Sequence, residues 1–363
     1  MGTALAAPTA IETDFDDQEI LITLPTGAVA TDTPPADANK AADQIQTYLI
    51  QARTQGDPRY LGYARALLDR WPEQRMTDRL VILNASLNQS LHQFEPAREQ
   101  LTDVINQSTD REQVIQAHLT LANLELVQGR YAPAREHCEQ LFSALPGLIA
   151  TSCQAQVDAR TGSAQTAYKS LLARTQRSST SDTVSLSWAE GTLADIAAQL
   201  GRPEAEQHWR RVLTLTPDDL YARAQLSDWL LEQGDARAVI NLTDGYEQVD
   251  SLAVIRAIAL KRLEHVDAAP LADRLEERFN EARWRGNLLH QRDLARYALD
   301  IEGNTDTALT YARANWQDQR EPLDTRLLLR AAKAASEDSI IADVRAWLNG
   351  HNQQDARYPE GES

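Results

Sequence analysis

Glycine returns in this sequence at a nearly fixed step. Gly129, Gly162, Gly201 and Gly234 are separated by 33, 39 and 33 residues. Gly56 stands 73 residues before the first of these and Gly303 stands 69 beyond the last, two further steps each way. Each glycine divides two apolar-periodic runs of helical length. A period of about 34 residues, split into helix, tight turn and helix, constrains the chain to a helical repeat array. A single hairpin cannot bury its own apolar face, so the units must stack. Stacked hairpins present a long concave inner face.

Composition supports this. The 363 residues include only 15 Gly and 14 Pro, and Ala, Leu, Gln, Glu and Arg dominate; these are helix formers. No run approaches the roughly 18 apolar residues of a membrane-spanning helix. The formal charge is −17, from 36 Lys+Arg against 53 Asp+Glu. Nucleic-acid binding draws on clustered basic surface, so that partner class is disfavoured.

The periodicity predicts nine hairpins within residues 39–350, from 41–54 paired with 58–71 to 322–335 paired with 338–349. Residues 1–38 hold Pro8, Pro25, Pro34 and Pro35 among several aspartates, and are expected to form a disordered or extended arm. Within it Glu19-Ile20-Leu21-Ile22-Thr23-Leu24 is β-prone and suited to packing on the first unit. Residues 351–363 are polar and are expected to be a disordered tail. The start, Ala4-Leu5-Ala6-Ala7-Pro8-Thr9, carries the A-x-A pattern of a signal-peptidase site without the preceding apolar region. The expectation is a periplasmic or secreted protein, with a cytoplasmic one as the alternative.

Small residues recur where the two helices of a hairpin must approach: Ala85 with Ala97, and Ala122 with Ala134. Leu121-Ala122, Gly129-Arg130-Tyr131, Ala134 and Pro146 together resemble the tetratricopeptide repeat (TPR) family. Gly201, Ala205 and Pro217, and Gly303 with Ala308, repeat parts of the pattern. The large aromatic of the first helix is mostly missing, and His265 stands where the seventh unit should have its turn glycine. The blocks Gly56-Asp57-Pro58-Arg59-Tyr60-Leu61-Gly62-Tyr63 and Asn315-Trp316-Gln317-Asp318-Gln319-Arg320-Glu321-Pro322 resemble segments of exported, uncharacterised bacterial TPR proteins. The resemblance implies an all-α, right-handed α-solenoid of about nine degenerate helix pairs, with the concave face lined from the first helix of each pair. By alignment on the turn glycines, that face falls to Ser86, Gln89, Gln116, Asn123, Gln156, Arg160, Trp188, Asp195, Tyr221, Asp228 and Arg296. Amides both donate to and accept from a peptide backbone, so the set suits an extended segment.

The two cysteines, Cys138 and Cys153, lie at similar distances either side of a turn near 145–147. Antiparallel helices rise equally, about 1.5 Å per residue, so the two positions come level. This predicts a disulfide, the alternative being two buried thiols. The seven histidines show no metal-ligand spacing, and no nucleophile elbow, phosphate loop or dinucleotide fingerprint occurs. No catalytic residue, metal or cofactor is therefore expected. The densest functional cluster is C-terminal: Trp284, Arg285, His290, Arg292, Arg296, Trp316, Arg320 and Arg326. It suits an anionic group. The structural alternative has Arg296 and Arg320 bridging to Glu302, Asp293 or Glu321. The expected function is a non-catalytic scaffold of the bacterial cell envelope that holds a protein or peptide segment in its groove, with Arg320 among the binding residues. A small-ligand or metal-responsive binding protein and an accessory subunit of an envelope complex are the alternatives. The sequence leaves the oligomeric state open.

Overall fold

A computed structural model describes residues 37–178, 181–284 and 291–359. The expected N-terminal arm, with its β-prone segment, lies outside them. The described chain is all helical, and its helices pair in sequence order. Unit one is α1 (Ala38–Gln55) with α2 (Arg59–Asp69), and unit two is α3 (Asp78–Ser90) with α4 (Phe94–Gln107). Unit three is α5 (Arg111–Val127) with α6 (Tyr131–Ala144), and unit four is α7 (Leu148–Asp158) with α8 (Ala164–Arg177). Unit five is α9 (Thr183–Gln199) with α10 (Glu204–Leu215), and unit six is α11 (Leu220–Glu232) with α12 (Ala236–Leu242). Unit seven is α13 (Asp250–Arg262) with α14 (Ala268–Trp284), and unit eight is α15 (Gln291–Tyr297) with α16 (Thr305–Asp318). Unit nine is α17 (Pro322–Ala334) with α18 (Asp338–Gly350). Among the described residues, no helix is long and apolar enough to cross a membrane.

Local chemistry sets the boundaries. Asp37, Thr77, Asp110, Asp182, Asp219 and Asn304 cap the first turns of their helices, accepting from otherwise orphaned backbone N–H groups. At α17, Glu321 and Asp324 form a reciprocal capping box ahead of Pro322. Each hairpin turns on one residue in the left-handed region. Six are the recurring glycines, and the other three are His92, Glu264 and Ser336. The seventh unit thus turns on Glu264, one residue earlier than the sequence pattern places it. Ala85, Ala97, Ala122, Ala134, Ala205 and Ala308 are fully buried, as close helix approach requires. Cys138 and Cys153 form the expected disulfide, with Cα atoms 5.5 Å apart, in the core between units three and four.

The array curls back on itself. At the turn of unit one, a Cβ added to Gly56 would stand 2.7 Å from Val249 Cγ2, beyond unit six. The Arg320 backbone N–H donates to the Val127 carbonyl at 2.7 Å, tying the start of unit nine to unit three. The polar residues after α18 also pack. Gln353 is buried, and the Ala356 N–H donates to the Gln199 carbonyl at 2.8 Å. The expectation of a disordered tail is therefore corrected for 351–359. Its anchors are polar groups of distant units, which no local apolar period announces. Residues 360–363 lie outside the described chain.

Candidate functional site

Among the described residues, three spaces border residues that the sequence places on the inner face. The largest, about 650 Å³, lies over units one to three and reaches Trp188 of unit five. Its walls hold Ser86, Gln89, Gln116, Asn123 and Trp188, five of the residues that the sequence places on the concave face. Between them stand Leu49, Ile50, Phe94 and Leu119. Ile50 is 43% exposed there, and Trp188 is half-buried. Helical period puts residues 86 and 89 on one face of α3, and 116, 119, 120 and 123 on one face of α5. The result is an open trough that mixes amides with aliphatic surface.

A second space, about 230 Å³, sits between units six and nine and is lined by Tyr221, Asp228, Arg292, Arg296, Arg326 and Arg330, among others. A third, only about 30 Å³, is bordered by Arg160, Asp195, Tyr221, Gln199, Glu321 and Arg357. Tyr221 lines both, and its hydroxyl donates to Asp195 Oδ2 at 3.1 Å. Burial pushes the Asp195 carboxyl up to about 6, against the pull of Arg160 and the Tyr221 hydroxyl. Trp188 and Tyr221 border different spaces. Gln156 lines none of the three. Its side chain donates to Thr192 Oγ1 at 3.0 Å, tying α7 to α9.

The C-terminal arginines are organised around buried carboxylates. Asp228, 3% exposed, pairs with Arg296 of α15 and Arg326 of α17, and with Arg357 at 3.1 Å. Glu232, one turn further along α11, pairs with Arg326 at 2.5 Å and Arg357 at 2.7 Å. Burial alone would raise the Asp228 carboxyl; the three guanidiniums outweigh it and hold the group far below the usual carboxylate range. Arg292 pairs with Asp324 at 2.6 Å and Glu321 at 2.9 Å, and Arg330 pairs with Asp300. Arg320 lies over the Trp316 ring, 4.5 Å from its centroid, and near Trp347. The bridges expected from Arg296 and Arg320 to Glu302, Asp293 or Glu321 are replaced by these partners. Arg296 reaches unit six because the superhelix brings α15 against α11. Arg285 and His290 lie outside the described residues, and Trp284 is 86% exposed, away from the cluster's carboxylates.

Two constellations were not legible as such in the sequence. Tyr168, His208 and Glu190 form a relay, with Tyr168 Oη 3.0 Å from His208 Nε2 and His208 Nδ1 2.6 Å from Glu190 Oε2. It has the connectivity of a nucleophile, base and orienting acid. Burial raises the Tyr168 hydroxyl pKa, the opposite of activation, and the relay binds α8, α9 and α10 together. His118 and His137 face each other across unit three with their Nδ1 atoms 3.0 Å apart. Among the described residues, no third metal-ligating side chain joins them.

No protein-family model matches the chain, and no curated protein does. Among solved structures, the crystallised TPR domain of P58(IPK) is similar over 83% of this chain and 89% of that one, with 14% identity and a TM-score of 0.21. The description of this chain as an array of TPR-like helix pairs rests on its own helices and turns.

Proposed function

We propose that the chain is a non-catalytic interaction scaffold that holds an extended partner segment in the trough over units one to three. The observation that carries this reading is the lining of the 650 Å³ space, where Gln89, Gln116 and Asn123 alternate with Leu49, Ile50 and Leu119. Amides there can pair with a peptide backbone while the aliphatic surface and Trp188 take side chains. The arginines around the smaller cavity are engaged by the protein's own carboxylates, which favours the trough over the C-terminal cluster as the binding surface. The Cys138–Cys153 bond supports an oxidising compartment such as the bacterial envelope. Service as an accessory subunit of an envelope complex would use the same surface.

The test is to select binders from a random-peptide library on the full chain, then measure their affinity for Gln116→Ala, Asn123→Ala and Trp188→Ala. Each variant should melt within a few degrees of the parent, because partly exposed side chains leave little cavity. Trp188→Ala should weaken capture most, as aromatic anchors dominate interface energetics. Binders indifferent to all three substitutions would refute the trough.

A further inference from the structure

The last described residues are held the way a peptide-binding protein holds a peptide. Gln199, at the end of α9, addresses the backbone of the passing segment on two sides. Its main-chain carbonyl accepts from the Ala356 N–H at 2.8 Å, and its Nε2 donates to the Gln354 carbonyl at 2.7 Å. A second bond from the same Nε2 to the Ala159 carbonyl, at 2.8 Å, fixes the amide in place. Side chains of the segment fill specific receivers. Gln353 Oε1 accepts from Tyr131 Oη at 2.8 Å and is buried. The Arg357 fork meets Asp228 at 3.1 Å and Glu232 at 2.7 Å, with the Trp229 ring 5.7 Å beneath it.

The surface is shaped for close approach. The segment crosses the hairpin turns of units four and five at their glycines. A Cβ added to Gly162 would lie 2.9 Å from Asn352 Cβ, and one added to Gly201 would lie 3.0 Å from Ala356 Cβ. The bare turns at Gly234 and Gly303 have nothing within 4 Å of such an atom. Backbone bonds, a buried amide and an arginine clamp give both affinity and sequence selection, the division of labour seen where extended peptides are recognised.

We propose that the rim of units three to six is a recognition site for an arginine-bearing peptide that runs extended and then turns at its arginine, occupied in cis by Asn352–Tyr358. The site is separate from the trough over units one to three and does not rest on the scaffold reading. Tethering gives the cis segment an effective concentration in the millimolar range, so a free peptide competes poorly until the tether is displaced. Arg357→Glu displaces it, by placing a third negative charge beside Asp228 and Glu232. Asp228 keeps Arg296 and Arg326, so the array itself stays folded.

The test uses full-length protein and a fluorescein-labelled synthetic peptide spanning His351–Pro359, read by anisotropy, with hydrogen exchange at residues 353–357 read in parallel. In the parent chain the segment should be protected and the peptide should not bind. In Arg357→Glu the protection should vanish and the peptide should bind at least about tenfold more tightly than to the parent. A peptide in which the arginine is replaced by glutamate should not bind either chain. Ala356→Pro, which removes the N–H donated to the Gln199 carbonyl and leaves the carboxylates untouched, should reproduce the result if Arg357→Glu melts far below the parent. Retained protection in both variants, or lost protection without peptide uptake, would overturn the proposal.

Discussion

The inner faces of units one to three and of units six to nine start from the same hairpin and end differently. In the first region amides and aliphatic side chains predominate, with Arg53, His92 and Glu321 among them, and the trough stays open. In the second, Asp228 and Asp300 each draw arginines from two or more elements, Asp324 pairs with Arg292, and the space between them is about 230 Å³. Buried charge must find partners, because an unpaired ion in the interior costs several kcal/mol. Placing carboxylates on α11, in the turn of chain that follows α15, and on α17 therefore draws those units together on their own arginines. Amides carry no such compulsion and leave their surface available to another chain.

The sharpest way to break this contrast is Asp228→Ala. It removes the buried carboxylate that three arginines share, leaving only Asp300 for Arg296 and Glu232 for Arg326 and Arg357, and should cost about 3–5 kcal/mol, seen as a large fall in Tm and exposure of residues 352–358 to protease. A change confined to an exposed pair, such as Glu206→Ala opposite Arg210, should be nearly silent. If the two variants melt alike, the ion cluster does not close the array. The next largest effect belongs to the join between the regions. Removing the 15-residue disulfide loop with Cys138→Ala and Cys153→Ala together should cost about 3 kcal/mol, measured by denaturant unfolding. The paired trough residues should then lose register with unit four while the Asp228 ties persist.

Turn glycines give a finer comparison. Gly129→Ala meets both a left-handed φ of +71° and the Trp347 ring, 2.8 Å from the added carbon. Gly234→Ala meets only the strain of φ +82°, about 1–2 kcal/mol. The former should be the more destabilising by thermal melting, and equal losses would mean that α18 does not seat on unit three. The smallest effect concerns pH. Burial raises the Asp195 carboxyl in the folded chain to about 6 from its ordinary 3.8, so its contribution to stability is full below the unfolded value and is lost as pH rises through the folded one. Asp195→Asn keeps one acceptor for Tyr221 or Trp209 and does not titrate. Its Tm relative to the parent should therefore climb between about pH 4 and pH 6. Asp228 shifts the other way, and its ties hold across that whole range.

What the sequence reveals follows from how local each cause is. Gly56, Gly129, Gly162, Gly201, Gly234 and Gly303 were legible because a left-handed turn selects glycine from within its own few residues. His92, Glu264 and Ser336 adopt the same conformation without that mark, each held by the next residue's N–H closing back onto the helix, at the Asn88, Leu260 and Ala332 carbonyls. Cys138 and Cys153 were legible because both lie on helices joined by one turn. Arg357 and Asp228 were not, because 129 residues separate them and only the superhelical curl makes them neighbours. The same curl explains the tail. Its hydrogen bonds go to Tyr131 and Gln199, so its polar composition read as disorder when it was a set of tertiary anchors. Among the expected groove residues, alignment on the turn glycines named Gln156, which lines none of the three spaces, together with Gln89, Gln116 and Asn123, which line the trough. It could not show that Asp195, Asp228 and Arg296 are used up by internal partners while Gln89, Gln116 and Asn123 are left facing the trough.

The central claim, that partner capture belongs to the open region and structural closure to the charged one, has a direct measurement. A library-selected peptide carrying a photoreactive residue is cross-linked to the full chain, and the modified residues are identified by mass spectrometry. The account predicts cross-links at Leu49, Ile50, Gln89, Gln116 or Trp188. Cross-links concentrated at Arg292, Leu323, Arg326 or Arg330 would contradict it.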